Sequence, residues 1–209
     1  MDEKSFCRIG VFYDGSYFNY AQNYFFHNRK LGWLDFQLLH SHIENYVRAQ
    51  EQGYAIYKVV YAAWFQGLFT STGAEERQLR NERNRYHDLM HAGIEPKYFP
   101  MSMSQGEKGA DVALAIDALQ VGLDRRIDIA VLVTGDADLV PLVRALMKQG
   151  VRVMAVYFKY EDGEYKSFIN ERLLRVCNYS LNVNELEDVN DRNKMATFRG
   201  LFRKFDEEA

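Results

Sequence analysis

Cysteine is scarce. Cys7 and Cys177 are the only two in 209 residues, and neither has a Cys or His neighbour at metal-binding spacing. A disulfide framework and a zinc site are therefore both unsupported, and the two thiols read as small core residues. No apolar run approaches the roughly 20 residues that span a bilayer, so no membrane segment is expected. Met1-Asp2-Glu3-Lys4 leads into a strand-like run without a signal-peptide core, which points to a cytoplasmic protein. Basic excess is also missing: the net charge is -3, which argues against a surface coated for non-specific DNA binding. Local patches and bound cations leave nucleic acid open as a partner. There is no internal repeat and no low-complexity segment. Against these absences, 47% hydrophobic and 26% charged residues describe a globular chain long enough to bury a core.

The pattern alternates strands with helices. Arg8 to Tyr13, Ala55 to Phe65, Ile94 to Phe99, Ile127 to Val133 and Val151 to Phe158 read as strands. Helices are expected from Tyr17 to about His27, with Ser16 as its cap, and from Phe36 to Glu51, with Asp35 as its cap. Three more follow over Glu75 to His91, Gly109 to Leu123 and Leu139 to Gln149. In the helix after Gly109, Val112, Ile116, Leu119 and Leu123 form the expected core stripe, beside a strip of small residues at Ala115, Ala118 and Gly122. Loops are expected at Gln66 to Gly73 and Pro100 to Lys108. Beyond Tyr160 a helix is expected over Tyr165 to Val176 and a short strand within Tyr179 to Leu186. Such alternation implies an α/β fold, a parallel β-sheet of about five strands flanked by helices on both faces. Residues 1–186 make the domain, with 187–209 a charged C-terminal helix or tail.

Carboxylates follow two of these strands. Val131 to Val133 stops at Thr134-Gly135 and gives way to Asp136-Ala137-Asp138, then to a helix with Pro141 in its first turn. Asp14 likewise ends the first strand. Asp111 sits in the first turn of its helix, in line with Ala115 and Ala118 rather than on the solvated side. Each acid has an ordinary explanation as a turn, a cap or a partner of the helix dipole. Together they converge on the carboxyl rim of the sheet, where open α/β sheets bind ligands. Gathered carboxylates repel one another unless a cation intervenes, and oxygen-only donors favour Mg²⁺ or Mn²⁺ over Zn²⁺. Asp117, six residues beyond Asp111, turns toward the solvated side. Lys108, just before the helix, is either a phosphate contact or an ordinary exposed lysine.

Three blocks carry a family resemblance: Phe12 to Ser16, Lys108 to Asp117, and Val133 to Leu139. In order and spacing they resemble the signatures of the NYN domain, in the LabA-like branch of the PIN-like ribonuclease superfamily, over about Arg8 to Leu186. The resemblance implies a Rossmann-like (PIN-like) sheet. It also implies that Asp14, Asp111, Asp136 and Asp138 form the Mg²⁺- or Mn²⁺-binding catalytic site of a nuclease acting on RNA. Asp117 matches an acid common in the second block. Asn19 falls where family members often place a polar residue near the site, while position 16 holds Ser.

The expected chemistry is metal-assisted phosphodiester hydrolysis, with Asp14 and Asp136 as direct ligands and Ser16, Asn19 and Lys108 on phosphate. Single-stranded RNA further calls for a basic groove with stacking aromatics. Arg77, Arg80, Asn84 and His87 share one side of their helix and are candidates for the groove; Trp64, Phe65 and Tyr17 are candidates for stacking. The alternatives are a catalytically weak RNA-binding or regulatory module and a metal-dependent phosphatase or nucleotide-processing enzyme. Against a haloacid-dehalogenase-like phosphatase, Asp14 is followed by Gly15-Ser16 rather than by a second Asp in an Asp-x-Asp motif. Oligomerisation is left open.

Overall fold

A computed structural model describes residues 4–69, 76–102 and 106–203. The elements, in order, are β1 (Lys4–Asp14), α1 (Gly15–Asn23, prolonged by a π-helical turn at Tyr24–Asn28), β2 (Trp33–Leu34), α2 (Phe36–Gln50) and β3 (Tyr54–Phe69). Then come α3 (Glu76–His91), β4 (Glu95–Ser102), β5 (Gly106–Glu107), α4 (Ala110–Leu123) and β6 (Ile129–Val133). A 3₁₀ turn (Ala137–Leu139) leads into α5 (Val140–Lys148), followed by β7 (Arg152–Tyr157), β8 (Tyr160–Asp162) and β9 (Tyr165–Ser167). The described chain closes with α6 (Glu171–Val176), β10 (Tyr179–Asn182), α7 (Arg192–Gly200) and β11 (Phe202–Arg203).

The main sheet runs β10-β7-β6-β1-β3-β4, all parallel, with β5 added antiparallel at the β4 edge. Because parallel strands are covered on both faces, they read as near-continuous apolar runs, and every residue of β6 is buried. One face packs Ile9, Val11, Tyr13, Val131 and Met154 under residues of α1, α2 and α7. The opposite face packs Phe12, Ala63, Leu132 and Val153 under α4, α5 and Leu173 of α6. The aromatics of α1 mostly join the first core: Phe18, Tyr24 and Phe25 are buried, whereas Tyr20 is exposed. Among the described residues, no helix is long and apolar enough to cross a membrane.

Three local expectations change, and the C-terminal segment is more closely packed than its charge suggests. Tyr165–Ser167 is a strand paired with Tyr160–Asp162, and the helix begins only at Glu171, where Asn170 caps it. β3 continues through Gln66 to Phe69, held by its pairing with β4. In α4 the large apolar stripe faces outward: Val112, Ile116 and Leu123 are 63%, 61% and 52% exposed. The buried side is instead Ala110, Leu114, Ala118, Val121 and Gly122. Small residues win because the helix lies close to its neighbours; a Cβ on Gly122 would come within 2.7 Å of Leu146. Finally, residues 187–203 include the helix α7 and pack onto the domain, with Phe198, Leu201 and Phe202 in the core and β11 paired with β2; 204–209 lie outside the described residues.

Two glycines permit close approach at the carboxyl rim. A Cβ on Gly15 would meet the Trp64 indole at 2.6 Å, and one on Gly135 would collide with the Phe168 carbonyl oxygen. A backbone atom cannot swing aside as the tip of Leu146 can. Gly135→Ala is therefore expected to destabilise the fold by about 1–3 kcal/mol. Gly122→Ala should change stability by less than about 1 kcal/mol, because a helix-interior alanine offsets the repacking. Urea denaturation of the two variants checks the contrast.

His40 is buried on α2 beside the Tyr13 ring. Burial pushes its pKa down from 6.5 to about 4, outweighing the nearby Glu44 and Asp35, which act upward, while Lys58 acts with burial. The unfolded chain then takes up this proton first as pH falls. Stability is full above pH 6.5 and declines as pH drops from 6.5 toward 4, by up to about 3 kcal/mol. His40→Leu should flatten that part of a stability-versus-pH curve; an unchanged slope would assign the dependence elsewhere.

Candidate functional site

The rim forms where β1 and β6 end side by side, with Tyr13 paired to Val133. Asp14 is the last residue of β1 and the N-cap of α1: Tyr17 N–H donates to its Oδ1 at 3.0 Å. Its Oδ2 accepts from the Thr134 hydroxyl at 3.2 Å. The same Thr134 oxygen accepts from the backbone N–H of Asp136 at 3.2 Å. Asp136 in turn caps the 3₁₀ turn, with Asp138 N–H donating to its Oδ1 at 2.9 Å. Thr134 is fully buried, so one hydroxyl ties the two strand ends together and fixes both acids. Ser16, the expected cap of α1, lies inside the helix and is exposed.

Asp111 reaches the same rim from α4, whose N-terminus lies there because the helix runs back against the parallel strands. It is exposed and stands in the first turn, on the side that turns toward α5 through Gly122. Asp138 is exposed at the start of α5. Three helix N-termini thus converge on this rim, and their partial positive charge lowers the cost of crowding carboxylates there. Among the described residues, no group of three or more His, Cys, Asp or Glu is drawn together closely enough to hold a metal ion. The donor chemistry nonetheless suits a hard divalent cation. Mg²⁺ commonly takes one or two carboxylates and completes its shell with water and phosphate; the cap of Asp136 uses its Oδ1, and that of Asp14 its Oδ1, with Oδ2 on Thr134.

Several expected site residues lie elsewhere. Asp117 is drawn away from both the rim and the solvent. Lys97 Nζ contacts its Oδ1 at 2.6 Å and the Tyr61 hydroxyl donates to its Oδ2 at 2.7 Å. Tyr61 lies four residues before Phe65, the strand neighbour of Asp14, while Lys97 pairs with Phe65 itself, so this cluster binds Asp117 to the β3–β4 face of the sheet. Burial first, and then Asp117, push the Tyr61 pKa up. Trp64 and Phe65 are buried and cannot offer a ring face to a base. Tyr17 is committed internally, its hydroxyl accepting from Phe158 N–H at 2.9 Å. Lys108 and Arg80 are exposed, and the side chain of Arg77 lies outside the described residues.

A groove of about 1200 Å³ does open beside the rim, between α1, the end of β3 and α3. Asn19, Asn84 and His87 line it, as does Arg85; Arg80 does not. Thr134, Gln66 and Arg85 were not legible as site residues. Thr134 lies inside the third block, where nothing local marks a hydroxyl beside two acids as a link between strands. Gln66 was hidden by the expectation of a loop.

No curated protein matches this chain. Among solved structures, a protein of unknown function from Vibrio parahaemolyticus shares the fold with a TM-score of 0.55 at 19% identity, over 87% of this chain and 94% of that one. The family model described as NYN domain matches residues 8–184, a span that takes in all four rim aspartates. By that match the chain belongs to the NYN domain family.

Proposed function

We propose that the protein is a ribonuclease that hydrolyses phosphodiester bonds with Mg²⁺ or Mn²⁺ held at the rim. NYN domains belong to a PIN-like nuclease superfamily. The three signature blocks further suggest the LabA-like branch. The observation that carries the reading is the Asp14–Thr134–Asp136 link, which holds two carboxylates from different strands at a rim faced by helix N-termini.

In this reading Asp14 and Asp136 would ligate the cation directly, with Asp111 and Asp138 acting through water. A divalent cation bound there supplies charge neutralisation at phosphate and acidifies a water for attack. The chain's own contributions are distinct. N-terminal amides of α1 and α4 favour an approaching phosphate, Ser16 and Lys108 contact its oxygens, and Asp138 orients the attacking water. Thr134 is a positioning residue: its single hydroxyl sets the rotamer of Asp14 and the backbone of Asp136 together.

Labelled single-stranded RNA incubated with Mn²⁺, Mg²⁺ or EDTA tests the proposal. Cleavage should require the metal, and Asp136→Asn should lower it by more than about 100-fold, beyond the loss typical of outer-shell changes. Metal-independent cleavage, or undiminished activity in the variant, would overturn the mechanism. Turnover of small phosphate esters in place of RNA would favour the phosphatase alternative.

Thr134→Val keeps the buried shape and removes the link. We expect activity to fall about 10–100-fold and half-maximal Mn²⁺ to rise by a similar factor, with Thr134→Ser restoring both. Equal losses in Thr134→Val and Thr134→Ser, with unchanged metal dependence, would leave Thr134 a packing residue.

A further inference from the structure

The groove beside the rim has a chemistry of its own. Among the described residues, six of its sixteen lining residues are amides, Asn19, Asn23, Gln66, Gln78, Asn81 and Asn84. Amides offer a donor and an acceptor together, which suits the edges of bases better than phosphate oxygens, which only accept. Of the lining cations, Arg203 is paired with Asp35 and Asp88.

Its inner end is ordered around one oxygen. Trp64 Nε1 donates to Gln66 Oε1 at 2.9 Å, and Asn19 Nδ2 donates to the same atom at 3.1 Å. An indole nitrogen can only donate, so Gln66 must turn its oxygen inward, and Asn19 must then turn its nitrogen to meet it. Asn19 Oδ1 is left buried, with no hydrogen-bond partner among the described residues. Orphaned buried acceptors of this kind call for an explanation. Because Gln66 follows Phe65, the β3 neighbour of Asp14, this acceptor lies just beyond the rim.

The groove also has planar surfaces. Trp33 lines it, 39% exposed and backed by Phe26 at 4.0 Å. The Arg85 guanidinium packs 5.8, 6.0 and 5.6 Å from the Trp33, Phe36 and Trp64 rings. Among the described residues it has no carboxylate within ion-pair distance. Indole rings and guanidinium planes are the surfaces on which unpaired RNA bases stack.

We propose that this groove is a base-recognition site for single-stranded RNA, holding unpaired nucleobases next to the phosphate at the rim. The Gln66 amide reads a base edge, Asn19 Oδ1 joins it when the Asn19 side chain turns outward, and Trp33, beside Arg85, supplies the stacking face. The assignment of the strand's position rests on the ribonuclease reading, while binding itself needs neither metal nor turnover.

The experiment measures fluorescence anisotropy of labelled oligo-A, oligo-C, oligo-U and mixed-sequence RNA in EDTA, with cleavage assayed separately in Mn²⁺. Wild type should separate the homopolymers by several-fold in affinity. Asn19→Ala should weaken the preferred one about 10-fold and level the differences. Asn81→Ala with Asn84→Ala, on exposed positions of α3, gives a second variant that keeps the helix; it should also reduce selectivity. Binding and base preference unchanged in both folded groove variants would overturn the site, as would a wild type that binds no RNA or treats all bases alike. Base-selective binding without metal-dependent cleavage would uphold the groove and overturn the ribonuclease reading.

Discussion

The parallel pairing of β1 with β6 is the constraint on which the rest depends. It brings two strand ends level, and the Thr134 hydroxyl then fastens the last residue of one to the turn after the other. In a sheet covered on both faces, each crossover helix must return against the strands, so α1, α4 and α5 all begin at this rim. Orphan N–H groups and positive helix ends collect there as a consequence of topology. Aspartate answers both needs, and a rim of capping acids follows before any reaction is considered. Capping and ligand binding therefore do not compete. A cap engages one carboxylate oxygen, which for Asp14 and Asp136 is Oδ1.

Close packing makes this rim stiff. Gly15 sits against the Trp64 indole and Gly135 against the Phe168 carbonyl, each directly beside a rim acid. The N–H of Asn170 also donates to the Gly135 carbonyl at 3.0 Å, so the chain entering α6 braces the turn that carries Asp136. A side chain at either glycine would push the acid and the brace apart. These glycines owe their place to the room they leave, since neither has positive φ.

How far this was legible in the sequence depended on the range of the interactions. Strands and their terminal acids were readable because an apolar run and the residue that ends it are contiguous. Asp35 was readable as a cap for the same reason. The buried side of α4 was not, because its large and small stripes share one helical period, and only the neighbouring Leu146 and sheet decide which turns inward. Asp117 needed Lys97, twenty residues earlier in the chain, to become a neutralised partner rather than a solvated acid. Trp64 looked available for stacking because aromatic composition cannot tell a core ring from a surface one. The strand-end acids could be picked out by position, yet whether any of them share a cation depends on side-chain positions that spacing does not carry.

The groove and the rim share β3 and α1, and on the proposed ribonuclease reading that sharing divides labour. Chemistry at a phosphate is the same for every nucleotide, so the rim acids cannot choose among sequences. Base edges differ, but the edge must be presented at a fixed distance from the reacting phosphate for the choice to matter. One strand end and one helix supply that distance here: Asp14 and Asn19 lie on the same turn-linked segment, and Phe65 and Gln66 are consecutive on its neighbour. The Trp64 indole beneath Gly15 is the common support, packed against the first residue of α1 and donating to the oxygen that orients both amides. Its burial leaves no ring face open to a ligand while allowing one rigid ring to hold the rim and the groove in register.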